Sequence, residues 1–222
     1  HLVIRRQRQM CIRDRVMGTD GDDILMLEAE DLAADITFDG GAGDDALSVE
    51  GDGVDDEIIY TPDVANFGDG RLDVDNGSTT VTIDFENLEP VDMTGFAVAT
   101  LNLPGADDVL TIAEGTDFTM GGGNAALRVS GTSGGVAIEI AAFWNNDEVV
   151  INTTTNGDGD DTINITSAAN AHANTDLTIN TGTGTDVVNV NGAVTLPSGG
   201  DLNIDLSLIH ISEATRRSYI SY

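Results

Sequence analysis

The sequence predicts an all-β chain, a β-solenoid of the right-handed parallel β-helix type with coils of about 22–25 residues. Three observations predict it. Residues 157–180 and 182–205 overlay at an offset of 25, Asp161-Thr-Ile-Asn-Ile on Asp186-Val-Val-Asn-Val and Asp176-Leu-Thr-Ile-Asn on Asp201-Leu-Asn-Ile-Asp. A fixed period of that size marks stacked repeats. Apolar residues alternate in short runs bounded by Gly, Asp and Asn, as half-buried strands require. No stretch sustains helical periodicity.

The two ends differ from the rest. Residues 1–15 and 207–222 hold seven of the nine basic residues, the single cysteine (Cys11) and two of the three histidines. Both stretches resemble translated sequencing adapter, and they are set aside from the fold. The remaining segment, 16–206, is read as one repeat segment with an irregular middle from 50 to 156, and as an internal piece of a longer protein. It carries 37 acids against Arg71 and Arg128, a formal charge of 2 − 37 = −35. Such a chain is repelled by nucleic acid and by anionic lipid, and its natural partners are cations. It contains no apolar run long enough to insert in a membrane as a helix.

In chain order, the first unit is Gly18-Thr-Asp-Gly-Asp-Asp-Ile-Leu-Met-Leu27, with Leu25 and Leu27 on one face. Asp35–Phe38 gives a second short strand, and Gly40–Ser48 opens a third. Leu25, Ile36 and Leu47 follow at spacings of eleven, so one coil takes 22 residues. In the middle, Asp55–Tyr60 repeats the acidic-turn-then-strand theme. Asn76-Gly77, between two alternating runs, is a strong hairpin signal; it predicts either an excursion from the solenoid or a separate β-sandwich. Phe96–Leu103, Asp107–Ile112, Val136–Ile140 and Glu148–Asn152 read as further strands. Ile163, Leu177, Val188 and Leu202 then follow at fourteen, eleven and fourteen.

Gly40-Gly-Ala-Gly-Asp-Asp-Ala-Leu-Ser48 matches Gly-Gly-x-Gly-x-Asp-x-U-x, with U a large apolar residue, at every specified position. Versions at Gly18, Asn156 and Thr181 each lack one glycine. This resembles the calcium-binding nonapeptide of haemolysin-type (RTX) proteins. The resemblance implies turn carbonyls and an Asp carboxylate ligating calcium between coils, with Asp23, Asp45, Asp161 and Asp186 as the carboxylate ligands and Leu25, Leu47, Ile163 and Val188 in the core. Here the motifs recur once per coil rather than in tandem, which favours a β-helix wider than the family's narrow roll. Segments such as Asn87-Leu-Glu-Pro90 and Asp176-Leu-Thr-Ile-Asn180 also resemble very large surface proteins of marine and planctomycete-type bacteria, which are adhesin-like.

Carboxylates stacked at the strand spacing of about 4.8 Å repel by roughly 1 kcal/mol in water and about 3 at an effective dielectric near 20. Stacking is therefore expected to call for a cation, and calcium takes six to eight oxygens of the kind these turns offer. The alternative is that Gly, Asp and Asn simply supply left-handed turn residues. His172 reads as a solvated loop residue. Phe143-Trp144 reads as core or coil edge, with a sugar-stacking platform as the alternative. No lysine exists to serve a phosphate loop, and Arg71 and Arg128 alone could serve as basic partners in catalysis.

The sequence thus predicts a non-catalytic structural segment of a secreted or cell-surface bacterial protein, folded or stiffened by calcium and stacked on flanking repeats of the same parent. The alternative is a carbohydrate-binding or polysaccharide-degrading β-helix domain acting on glycans or cell surfaces.

Overall fold

The computed structural model describes residues 3–4, 14–118, 123–154, 159–168 and 172–206. The features expected of residues 1–13, 207–222 and the turn at 155–158 lie outside them, apart from the short strand at 3–4. The chain is all-β. Its strands are β1 (Val3–Ile4), β2 (Asp14–Met17), β3 (Ile24–Glu28), β4 (Ile36–Asp39), β5 (Ala46–Glu50), β6 (Glu57–Pro62), β7 (Gly70–Asp75), β8 (Thr80–Glu86) and β9 (Val91–Thr94). They continue with β10 (Val98–Asn102), β11 (Asp108–Thr116), β12 (Ala125–Ser133), β13 (Val136–Trp144), β14 (Glu148–Asn152), β15 (Thr162–Ile165), β16 (Asp176–Asn180), β17 (Val187–Val190) and β18 (Leu202–Asp205).

Two nine-stranded sheets result, in the orders β1-β3-β5-β9-β13-β12-β11-β15-β17 and β2-β4-β8-β7-β6-β10-β14-β16-β18. The chain crosses between the sheets after almost every strand. Successive crossings place equivalent residues in parallel register: Leu25 opposite Leu47, Ile163 opposite Val188, Leu177 opposite Leu202. The offsets are 22 residues at the first end and 25 at the last, as the sequence periods require. Inward residues of both sheets, among them Leu47, Tyr60, Phe85, Leu101, Phe143 and Ile163, form one continuous core.

The sheets are mixed, which departs from a uniformly parallel solenoid. Each contains one antiparallel meander, β6-β7-β8 in the second sheet and β11-β12-β13 in the first. In both cases the chain passes over two strand positions and returns to fill them. The physical cause is turn chemistry. Gly134 and Gly135 take φ of +56° and +83° between Ser133 and Val136, the two-residue loop whose twist suits a hairpin. The Asn76-Gly77 hairpin joins β7 to β8 inside the second sheet, so it is neither an excursion nor a separate sandwich. Phe143 is fully buried and Trp144 half-buried, at the end of β13.

Asn76 ties its hairpin to the first coils. Its Nδ2 donates to the carbonyls of Ala29 (2.9 Å) and Leu32 (3.1 Å), while its Oδ1 accepts the N–H groups of Ser78 and Thr79. Asn76→Ala is therefore expected to cost about 1–3 kcal/mol in urea unfolding. Asn76→Asp, which keeps the turn bonds but turns a carboxylate toward two carbonyls, should cost at least as much. Ser78→Ala should stay within about 0.5 kcal/mol.

Candidate functional site: the acidic corner column

Where the chain passes from the second sheet to the first, five of the six crossings end in an acidic turn leading into β3, β5, β11, β15 or β17, and the sixth, into β9, does not. Asp23, Asp45, Asp108, Asp161 and Asp186 occupy the last turn position. All but Asp186 are buried to 1% exposure or less, and Asp186 is half-buried. Glycine makes these turns feasible. Gly43 and Gly184 both take φ of +138°, and a Cβ on Gly184 would collide with the Gly159 carbonyl of the neighbouring coil.

The inner carboxylates do not face one another as bare charges. Three of the five reach back to the backbone of the preceding coil. Asp45 Oδ1 accepts the Asp23 N–H at 2.8 Å, Asp161 Oδ1 the Asp108 N–H at 2.8 Å, and Asp186 Oδ1 the Asp161 N–H at 3.1 Å. The second oxygen is held by a threonine of its own coil: Thr19 for Asp23, Thr153 for Asp161 and Thr181 for Asp186. Outer acids reach the other way. Asp22 accepts the Asp44 N–H, Asp107 the Asp160 N–H and Asp160 the Thr185 N–H. An Asp-Asp pair thus bonds both of its neighbours, one side chain forward and one back.

The four aspartates expected from sequence come together as two pairs, Asp23 with Asp45 and Asp161 with Asp186. Asp108 joins the second pair as a further rung, and its own turn, Gly105-Ala-Asp-Asp108, is the sequence signal that marks it. Between the two groups lie β9, β13 and β12.

Three of these acids fit a calcium shell poorly, because N–H and O–H donors already point at their oxygens. Asp45 differs. Its Oδ2 is buried without a hydrogen-bond partner and faces Gly40, where a Cβ would come within 2.9 Å of it. Burial pushes the Asp45 carboxyl up, and the charges of Asp23, Asp22 and Asp44 add to that, against the Asp23 N–H. A separate trio, Glu30, Asp52 and Asp56, brings carboxylate oxygens within 4.8 Å of one another. Glu30 and Asp52 are exposed, and Asp56 already accepts the N–H groups of Asp52, Gly53 and Ala97.

The opposite corner, from first sheet to second, carries neutral counterparts. Asn146 Oδ1 accepts the Phe96 N–H and Asn174 Oδ1 the Asn146 N–H, at 2.9 and 3.0 Å. His172 belongs to this column. It is 1% exposed, and its Nδ1 accepts the Asn174 N–H at 3.1 Å, so burial lowers its pKa. The expectation of a solvated loop histidine is corrected: His172 is buried here beside Asn174, which is a ladder rung.

Sequence reading also missed two acids buried on strands. Glu139 lies where β13 bulges against β12; its Oε1 has no hydrogen-bond partner, and its carboxyl is pushed up to about 8 by burial and then by the Glu89 charge. Asp92 accepts the Phe118 N–H at 2.8 Å, and burial with the Asp117 charge raises it to about 7 despite Arg128. Asp108, with neither oxygen hydrogen-bonded, is raised to about 6 mainly by burial, to which the Asp161 charge adds.

If hydrogen bonding is what Asp161 supplies, Asp161→Asn keeps an acceptor for the Asp108 N–H and should change stability by about 1 kcal/mol or less. Asp161→Ala strands a buried donor and should cost about 2–4 kcal/mol in denaturant unfolding. For pH, the folded chain retains protons on Glu139, Asp92 and Asp108 that the unfolded chain releases near pH 4. The stability these groups contribute is full below about pH 4 and is lost as pH rises to about 8, each group titrating at no more than about 1.4 kcal/mol per pH unit. Melting temperature should accordingly fall from pH 5 to pH 8, and Glu139→Gln with Asp92→Asn should flatten that fall.

Comparison with known protein families, with curated proteins and with solved structures finds no match.

Proposed function

We propose that this chain is a non-catalytic structural segment of a secreted or surface bacterial repeat protein, its parallel coils following a right-handed β-helix path outside the two meanders. The observation that carries this reading is the run of rungs Asp108–Asp161–Asp186, in which the carboxylates of Asp161 and Asp186 each accept the backbone N–H of the aspartate one coil earlier. Such a corner is built to join coils. The acids raised furthest, Asp92, Asp108 and Glu139, are each at most 2% exposed, so a polymer substrate has no path to them; Glu30, raised less, is exposed. Arg71 is spent on Asp84 at 2.9 Å, and Arg128 on the Thr116 carbonyl and the face of Phe118. These features support a structural reading over a polysaccharide-degrading one. The extreme acidity and the absence of lysine suit an extracellular setting rich in salt and divalent cations.

Calcium is retained as a second reading, at one turn. Gly40–Ser48 is the full nonapeptide match, and its Asp45 keeps a buried, unpartnered oxygen facing the Gly40 backbone. Calcium bound there would stabilise the folded chain by mass action. Melting the chain at low salt, with calcium or with chelator, tests both readings. The expected result is a calcium-dependent rise that disappears in Asp45→Asn and persists in Asp161→Asn and Asp186→Asn. Unfolding on chelation that both of the latter substitutions reproduce would make those aspartates ligands rather than ladder rungs.

A further inference from the structure

The last described coil is built like the one before it and packed differently. Ile163, Ile165, Leu177 and Ile179 are 0–1% exposed. Their register partners are Val188, Val190, Leu202 and Ile204. None of these four is buried, and Val190 is 50% exposed. The polar ladder stops at the same place. The Asp108 and Asp161 N–H groups each find the carboxylate of the next coil, whereas the Asp186 N–H meets no acceptor among the described residues. On the other sheet Asp176 accepts the Asp201 N–H, and Asp201 stands exposed in the equivalent forward-reaching position. The Asn164–Asn189 amide bond likewise leaves Asn189 as the outermost member of its row.

We propose that the outer edge of β17 and β18 is a docking face for one more in-register coil of the same kind and direction. That coil would bring an Asp carboxylate to the Asp186 N–H, a backbone N–H to Asp201, and alternate apolar side chains over Val188, Val190, Leu202 and Ile204. Parallel register is required, because an antiparallel edge would place its turn at the far end of β17 and leave Asp186 unanswered. Thr185 stands where earlier coils carry the forward-reaching Asp, so at this corner recognition runs through the Asp186 N–H alone. Residues 207–222 contain neither Gly nor Asp, the residue types that mark the earlier acidic turns. The inference rests on the structural-array reading given above.

The test replaces residues 207–222 by a second copy of residues 182–206 and follows amide hydrogen exchange in chelator, so that calcium plays no part. Exchange at 186–190 and 202–205 should slow by roughly tenfold or more relative to the natural chain. Replacing by Ala the appended unit's counterpart of Asp186 should restore fast exchange at Asp186 while leaving the strands protected. Unchanged exchange at 186–190 overturns the docking face. So does protection already present in the natural chain, whether lost on deleting residues 207–222, which makes that segment the occupant, or growing with protein concentration, which makes a second copy the occupant. Failure of the array reading itself looks different, since the inner rungs at 161–165 and 176–180 would then exchange freely too.

Discussion

The structure depends on one constraint: backbone N–H groups at the corner between two stacked sheets are buried and belong to no strand ladder. Leaving such a donor unmet costs about 1–3 kcal/mol each. Helical proteins answer this with caps. Here the answer comes from the next coil, whose Asp or Asn side chain reaches across the stacking interval. That places the same residue at the same corner once per coil, because each rung both gives an N–H and receives one. The repeat in the sequence is thus the trace of a hydrogen bond that has to be made again at every level.

The column is weakest where parallel stacking is interrupted. β12 runs antiparallel between β11 and β13, and beside Asp108 it presents Ser133 rather than another coil's aspartate N–H. Asp108 is left with no hydrogen-bonded oxygen and Glu139 sits at the bulge in β13, while Asp45, in parallel stacking, has one oxygen unmet where the next crossing, into β9, carries no aspartate rung. Burial raises the pKa at all three. Regular rungs satisfy their acids, and the meander, which offers no rung, leaves acids in want of protons. The core pays no comparable penalty, since apolar packing depends on which face a residue occupies and not on strand direction.

Much of this was legible in the sequence. Period gave the 22- and 25-residue offsets, alternation gave the inward faces, and Gly-x-Asp turns marked Asp23, Asp45, Asp161 and Asp186. The meanders were not read as such, although Ser133-Gly-Gly-Val136 is a two-residue hairpin loop as plain as Asn76-Gly77. Strand direction depends on which partner a strand finds, and a local pattern cannot say whether the chain advances or doubles back. Glu139 was illegible for a related reason: its burial comes from a bulge, and a bulge is a mismatch between two strands rather than a property of either. His172 and Asn174 looked like loop residues because composition cannot tell a solvated Asn from one that caps a neighbour's backbone.

Magnitudes decide how a segment of formal charge −35 tolerates aligned carboxylates. Two exposed acids one coil apart repel by roughly 1 kcal/mol. A hydrogen bond from a backbone N–H to a charged acceptor contributes about 1.5–3 kcal/mol. At Asp161 and Asp186 each inner carboxylate receives such a bond and a threonine hydroxyl as well. Attraction between a carboxylate and the backbone therefore outweighs repulsion between carboxylates, and repulsion alone does not demand a metal at these rungs. A cation gains purchase where an oxygen is left over, and along the parallel rungs described here that oxygen belongs to Asp45.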